Sequence, residues 1–148
     1  MEGTSAAEGG RLGDDLSFLI ARANALSISA ANAVLKPLDL NVRSYALLAL
    51  VAGEDPAPTQ REIAAFLRLD PSQVVGLVDA LEGRGLIERL PDPRDRRART
   101  VTATAAGRTL AGEARAAALE AERTLHPTLT PSERETLIAL LRRVAFAD

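Results

Sequence analysis

The chain has 148 residues, 47% of them hydrophobic and 3% aromatic, with a formal net charge of −2 and no cysteine. That length suits one ordinary domain, and a core of Leu, Val, Ile and Ala in a chain rich in good helix formers points to a mainly helical fold. The lack of cysteine excludes disulfides, thiolate metal sites and thiol-based oxidant sensing, and the charge excludes a uniformly basic coat but not a local basic patch.

Residues 1–13 are small and polar and are expected to form a flexible tail. They lack the basic start and apolar stretch of a signal peptide. No apolar run in the chain is expected to span a bilayer, so the expected location is the cytoplasm, with no membrane partner. Residues 14–36 are expected to form a long first helix. Leu16, Leu19, Ile20, Ala23, Leu26, Ala30 and Val34 recur at helical period, Ala21, Ala25, Ala31 and Ala33 permit close helix approach, and Pro37 ends the pattern. On the residues alone, packing within one chain and an interface explain this stripe equally well. Leu38-Asp39-Leu40-Asn41 is a connector with Asn41 as N-cap. Residues 42–52 form a short helix with Tyr45, Leu47, Leu48 and Val51 directed inward, and residues 53–58 form a Pro-rich loop.

The next stretch carries the most specific signals. Thr59 and Glu62 make a capping box, and Ile63, Ala64 and Leu67 form an apolar face behind it. Asp70 suits the N-cap of a second helix, Pro71 its first position, and Gln73 completes another box. Val74, Leu77, Val78 and Leu81 recur at i, i+3, i+4 and i+7 and so face the core. The opposite face carries Ser72, Val75, Gly76 and Asp79, with Gln73 on its flank. Gly85 stands where a left-handed helix-ending residue is expected. Two short helices in this arrangement suit a helix-turn-helix, whose second helix places residues near its N-terminus against base edges. Gln73 can pair bidentately with adenine, Ser72 can bond several base edges, and Val75 can meet a thymine methyl. A plain surface helix is the bland alternative.

Residues 86–90 and 99–104 are expected to be short strands joined by a turn-rich loop, Pro91-Asp92-Pro93-Arg94-Asp95-Arg96-Arg97-Ala98. From Arg84 to Arg99 there are six arginines against three acids, a local excess of three positive charges. Arg94, Arg96 and Arg97 concentrate at the tip, and Asp95 stands two residues before Arg97, within reach of its guanidinium. An arginine so oriented suits a narrow minor groove, where negative potential is focused. Arginines on a hairpin tip directly after a helix-turn-helix are hard to account for as a merely solvated loop.

Thr104 caps a long helix running to about Leu125, with Leu110, Ala114, Ala117, Ala118, Ala121 and Leu125 on its apolar side. His126, the single histidine, is better explained as a residue at a helix C-terminus than as a ligand, because a metal site needs several convergent ligands. Thr130-Pro131-Ser132-Glu133 opens a last helix with Leu137, Leu140, Leu141 and Val144 as its stripe. The chain offers no nucleophile–base pair, phosphate-cradling Gly-rich loop or metal-spaced cluster. No enzyme activity, cofactor or metal is therefore expected.

Three segments carry a family resemblance: Gly85-Leu86-Ile87-Glu88-Arg89, the loop Pro91-Asp92-Pro93-Arg94-Asp95-Arg96-Arg97, and Thr102-Ala103-Thr104-Ala105-Ala106-Gly107-Arg108. Together they resemble the wing signature of MarR-type (multiple antibiotic resistance regulator) transcriptional regulators. Ala103 stands where that pattern more often has Leu. The resemblance covers residues 14–148 and implies a mainly α fold with a small β-hairpin wing. It implies a winged helix-turn-helix at 41–103, with its helix-turn-helix core at 59–84 and wing at 86–103. A helical dimerisation layer would be built from 14–36 and 104–148. The implied protein is a homodimeric regulator, usually a repressor, released by a small, often phenolic or aromatic effector. Its partner is double-stranded DNA. Paired lobes set Ser72 and Gln73 into major grooves about 34–36 Å apart, so the operator is a near-palindrome. Thr59 and Gln60, at a helix N-terminus, are expected to bond phosphates through main-chain amides. Arg97 is expected in the minor groove, oriented by Asp95, with Arg94 and Arg96 on phosphates. Asp79 sits awkwardly on the DNA-facing side. Arg22, Asn24, Arg43 and Tyr45 lie near the expected effector junction. The alternative function is a winged-helix protein–protein module without specific DNA binding.

Overall fold

The computed structural model describes residues 10–53 and 55–147. Residues 1–9 of the expected tail lie outside the described residues, while Gly10–Asp14 forms a 3-10 turn. Helix α1 spans Leu16–Leu35 and starts two residues later than expected, because Asp15 caps it: its carboxylate accepts the Phe18 N–H at 3.1 Å. Lys36–Leu38 then makes a 3-10 turn, and Asp39 takes a left-handed conformation (φ 53°). Helix α2 spans Val42–Gly53. Asn41 and Ser44 cap it reciprocally: the Ser44 N–H donates to Asn41 Oδ1 (3.0 Å) and the Asn41 N–H to Ser44 Oγ (2.9 Å). Asn32 of α1 accepts the Val42 N–H at 2.9 Å, so the first two helices share a cap.

Helices α3 (Gln60–Leu67) and α4 (Pro71–Gly83) form the helix-turn-helix. Strands β1 (Ile87–Asp92) and β2 (Asp95–Ala103) form an antiparallel hairpin, so most of the segment expected to be loop is strand and the turn shrinks to Pro93-Arg94. Thr59 bridges to Thr100, with the Val101 N–H donating to Pro58 O at 2.8 Å, and this adds a third extended segment beside the hairpin. Helix α5 spans Ala105–Leu125 and ends at His126, and α6 spans Pro131–Ala145. The mainly helical architecture with a two-stranded wing is thus the one expected.

The core lies in the winged-helix lobe. Leu47, Leu48 and Val51 of α2 pack with Ile63, Val74, Val78, Ile87 and Val101, all essentially inaccessible to solvent. Gly107 lets the start of α5 sit against the main chain at Leu86, the residue before β1. A Cβ there would lie 1.9 Å from the Leu86 carbonyl oxygen, so no larger residue fits without moving main chain. Beside it, Gly85 has the expected left-handed conformation (φ 72°), and the Thr104 hydroxyl donates to Gly85 O (2.7 Å) while accepting the Gly107 N–H (3.1 Å).

The two end helices are different in kind. Along α1, Leu16, Leu19, Ile20 and Leu26 are exposed, and on α6 so are Leu137, Ile138, Leu140, Leu141 and Val144. No described residue of α6 is buried; an Arg134–Glu122 pair (2.7 Å) ties its start to α5, and Phe146 packs on Phe66 of α3 with ring centroids 5.9 Å apart. The expectation of no bilayer-length apolar run needs correction. Leu16–Leu38 is long and apolar enough by composition to cross a membrane, with a mean hydropathy of 1.4 over its best window. Many alanines raise that average although Arg22, Asn24 and Asn32 interrupt the segment. The helix packs instead along α5 and α2.

Candidate nucleic-acid interface

The candidate recognition surface is built on α4. Asp70 caps it, accepting the Ser72 N–H (2.9 Å) and the Ser72 hydroxyl (2.7 Å). The Ser72 hydroxyl, and then its main-chain N–H, hold the Asp70 carboxyl below its ordinary range. Gln73 turns back to complete the cap, its Oε1 accepting the Asp70 N–H at 3.2 Å. Its amide nitrogen has no hydrogen-bond partner among the described residues. Gln73 therefore keeps both amide hydrogens and one Oε1 lone pair for a base edge, while the cap fixes the direction of its carbonyl. Val75 is 41% exposed, two other faces of the helix being closed by Val74, Val78 and Leu81 against the core. Ser72, Val75 and Asp79 share the open face, as expected.

The wing is more constrained than its sequence suggests. In the strand register Pro91 pairs with Arg99 and Asp92 with Asp95, so Arg96, Arg97 and Ala98 have no partner on β1. This irregularity pushes the two arginines outward, and both are exposed. Neither Arg96 nor Arg97 makes an ion pair among the described residues. Arg94 behaves differently. Its guanidinium bonds Asp92 (Nε to Oδ1, 3.2 Å) and reaches Glu62 at 3.5 Å, and its main-chain N–H donates to Asp92 Oδ1 at 2.9 Å. Asp92 is 5% exposed, and the Arg94 main-chain N–H followed by its guanidinium lowers the Asp92 pKa. Arg94 thus latches the tip to α3. Asp95 accepts the Arg97 main-chain N–H (2.9 Å), so it shapes the backbone at Arg97 rather than bonding the guanidinium, as had been expected.

Thr59 and Gln60 lie beside the wing, at the start of α3. The Thr59 N–H donates to Glu62 Oε2 (3.0 Å), and the Thr59 hydroxyl accepts the Glu62 N–H (3.2 Å). The Thr59 amide is therefore occupied by its own capping box, while the Thr59 hydroxyl only accepts there and keeps its hydrogen free to donate. The Gln60 side chain accepts from Arg89 Nε at 2.9 Å. Arg89 was missed on the sequence. It also donates to Asp79 (2.5 Å) and to Glu82 (2.8 Å), which accounts for the awkward carboxylate on the DNA-facing side. The pairing is tertiary, and no short spacing announces it.

A second feature lies above this surface, between α1, α2 and α5. A cavity of about 200 Å³ is lined by Ile28, Ala31, Val42 and Leu125, with Asn24, Tyr45 and Glu122 as polar members. Of the residues expected at this junction, Asn24 and Tyr45 line it. Arg43 lines a neighbouring groove with Asn32 and Asn41, and Arg22 lines neither.

Comparison with known proteins gives a consistent result. A model of the MarR family matches residues 38–98. The crystal structure of a MarR-family transcriptional regulator from Rhodococcus sp. RHA1 superposes with a TM-score of 0.86 at 37% identity, covering 93% of this chain and 98% of that one. CouR from Rhodococcus jostii RHA1, solved bound to p-coumaroyl-CoA, superposes with a TM-score of 0.82 at 39% identity, covering 93% and 96%. A protein assigned as the transcriptional regulator of the hcr operon of Thauera aromatica is 32% identical over 104 residues; the match spans 70% of this chain and 62% of that protein's length.

Proposed function

This chain belongs to the MarR family, and we propose that it acts as a homodimeric, sequence-specific DNA-binding regulator, a repressor released by a small aromatic ligand. The observation that carries this reading is the pairing of two exposed features on one lobe. The open N-terminal face of α4, with Ser72, Gln73 and Val75, stands beside a wing whose irregular register presents Arg96 and Arg97. Base edges are read by the first, and backbone charge and groove width by the second. Arg97 enters the minor groove and Arg96 meets phosphate. The working place of such a protein is the cytoplasm, and its role is regulatory rather than catalytic.

Dimerisation is supported by the apolar stripes on α1 and α6, which this chain leaves uncovered. A two-fold layer formed there sets the two α4 helices one turn of duplex apart. The cavity between α1, α2 and α5 supports an effector site, since it is mostly apolar with a few polar members and lies where the dimer layer meets the reading lobe. Its size suits one substituted aromatic ring. With the ligand of CouR as a guide, the effector class we propose is a hydroxylated aromatic acid or its acyl thioester. It acts only through its preference for the arrangement in which the two α4 helices no longer match the groove spacing. Selection of bound duplexes from a random-sequence library tests the reading: a near-palindromic consensus supports it. Recovery of no consensus would favour the winged helix as a protein-contact module.

A further inference from the structure

We infer that Arg89 is the positioning residue that makes the recognition helix acceptable to DNA, by offsetting one of the two negative charges of Asp79 and Glu82 and by holding β1 against both helices of the reading head. The inference rests on the DNA-binding reading above. The Arg89 guanidinium uses all three nitrogens on three different side chains: Asp79 at 2.5 Å, Glu82 at 2.8 Å and Gln60 at 2.9 Å. Its main-chain N–H adds a bond to Glu82 Oε2 at 3.1 Å. One residue of the wing thus joins α3 and α4. A lysine cannot reproduce this planar three-way fork.

The charges give the contact its meaning. Asp79 follows Ser72 and Val75 along the same face of α4, so it looks toward the duplex. Glu82 stands in the last turn, where the helix dipole already concentrates negative charge. Without Arg89 two carboxylates would face phosphate with no counter-charge, and like charges juxtaposed at an interface are strongly disfavoured. Fold stability does not account for the arrangement. The Arg89 side chain is 21% exposed, but those of Asp79 and Glu82 are 62% and 41% exposed, and ion pairs whose acidic partners are so open to solvent contribute modestly to stability. The wing would still fold without Arg89, but its arginines would lose their fixed placement relative to Ser72 and Gln73.

The test uses the full chain and a duplex that the unaltered protein selects from a random library. Binding is followed by fluorescence anisotropy at several salt concentrations, with thermal melting in parallel. Arg89→Ala should bind about 10- to 100-fold more weakly, the scale of a lost charge-assisted contact, with a melting midpoint close to that of the unaltered chain. Arg89→Lys should fall between the two, keeping the charge and losing the fork. The triple variant Arg89→Ala, Asp79→Asn, Glu82→Gln should recover much of the affinity. Unaltered binding by Arg89→Ala would overturn the inference. So would weakened binding that the triple variant does not relieve and that follows a lowered melting midpoint. If the unaltered chain itself selects no duplex, the DNA-binding reading fails and the inference falls with it.

Discussion

Gly107→Ala probes the junction on which the geometry of wing and dimer layer depends. The new Cβ would lie 1.9 Å from Leu86 O and 2.9 Å from Leu86 C, both main-chain atoms. To reach ordinary contact, α5 must move off the Leu86 main chain by about 1 Å, and overpacking of this kind costs about 1–3 kcal/mol where a side chain can yield, with main chain yielding less. The same shift strains the Thr104 N–H bond to Leu86 O (3.0 Å) and the Thr104 cap on Gly107. Against this stands the better helix propensity of alanine, worth about 1 kcal/mol. The clash wins, for a net loss of about 2 kcal/mol or more. Gly112→Ala is the internal control, being in the same helix with nothing within 4 Å of its would-be Cβ. It should gain up to about 1 kcal/mol. Denaturant unfolding of both variants, at one fixed protomer concentration because folding and dimerisation are linked, reads the difference. A Gly107→Ala chain as stable as the parent would refute the close approach of α5 to the Leu86 main chain.

Three further expectations follow from the interface and the cavity. Arg97→Ala should weaken operator binding and lower the salt slope by about one, whereas Arg94→Ala should leave the slope nearly unchanged, because its guanidinium is held by Asp92 and Glu62; equal slope losses would show that Arg94 leaves its latch for phosphate. Gln73→Ala should relax preference at one base position by about 1–3 kcal/mol. Gln73→Glu should relax it too while keeping the cap acceptor, so a selection profile unchanged in both variants would remove Gln73 from base reading. Ala118→Leu should fill the cavity between α1, α2 and α5 and abolish release by aromatic acids or thioesters with DNA affinity retained; undiminished release would place the effector elsewhere.

Local chemistry made much of the fold legible. The caps at Thr59, Asp70, Thr104 and Thr130 each need partners two or three residues away, and all four form. The core face of α4 followed from periodicity alone, with Val74, Val78 and Leu81 buried. The wing was harder. Pro91, Asp92 and Asp95 carry turn signals, yet the ladder continues through them, because strand pairing depends on a partner that sequence propensity does not see. The uses of its arginines were also hidden. Arg94 and Arg97 were both expected to meet DNA, but one faces a buried carboxylate and the other only solvent. Arg89 belongs to the wing signature, but its role gave no signal, since its partners on α3 and α4 come near only in the folded lobe. The stripes of α1 and α6 were visible from the start. Whether they pack inward or outward was decided only by their exposure.

The central claim is that a two-fold pair of these lobes reads duplex DNA. The most direct measurement is a titration of the purified chain on the DNA upstream of its own gene, beside an unrelated duplex, at several salt concentrations and with footprinting. The account predicts tighter binding to the upstream duplex, a two-fold symmetric footprint, and affinity that falls steeply with salt as several phosphate contacts release counterions. Absence of binding to either duplex, even at low salt, would contradict it.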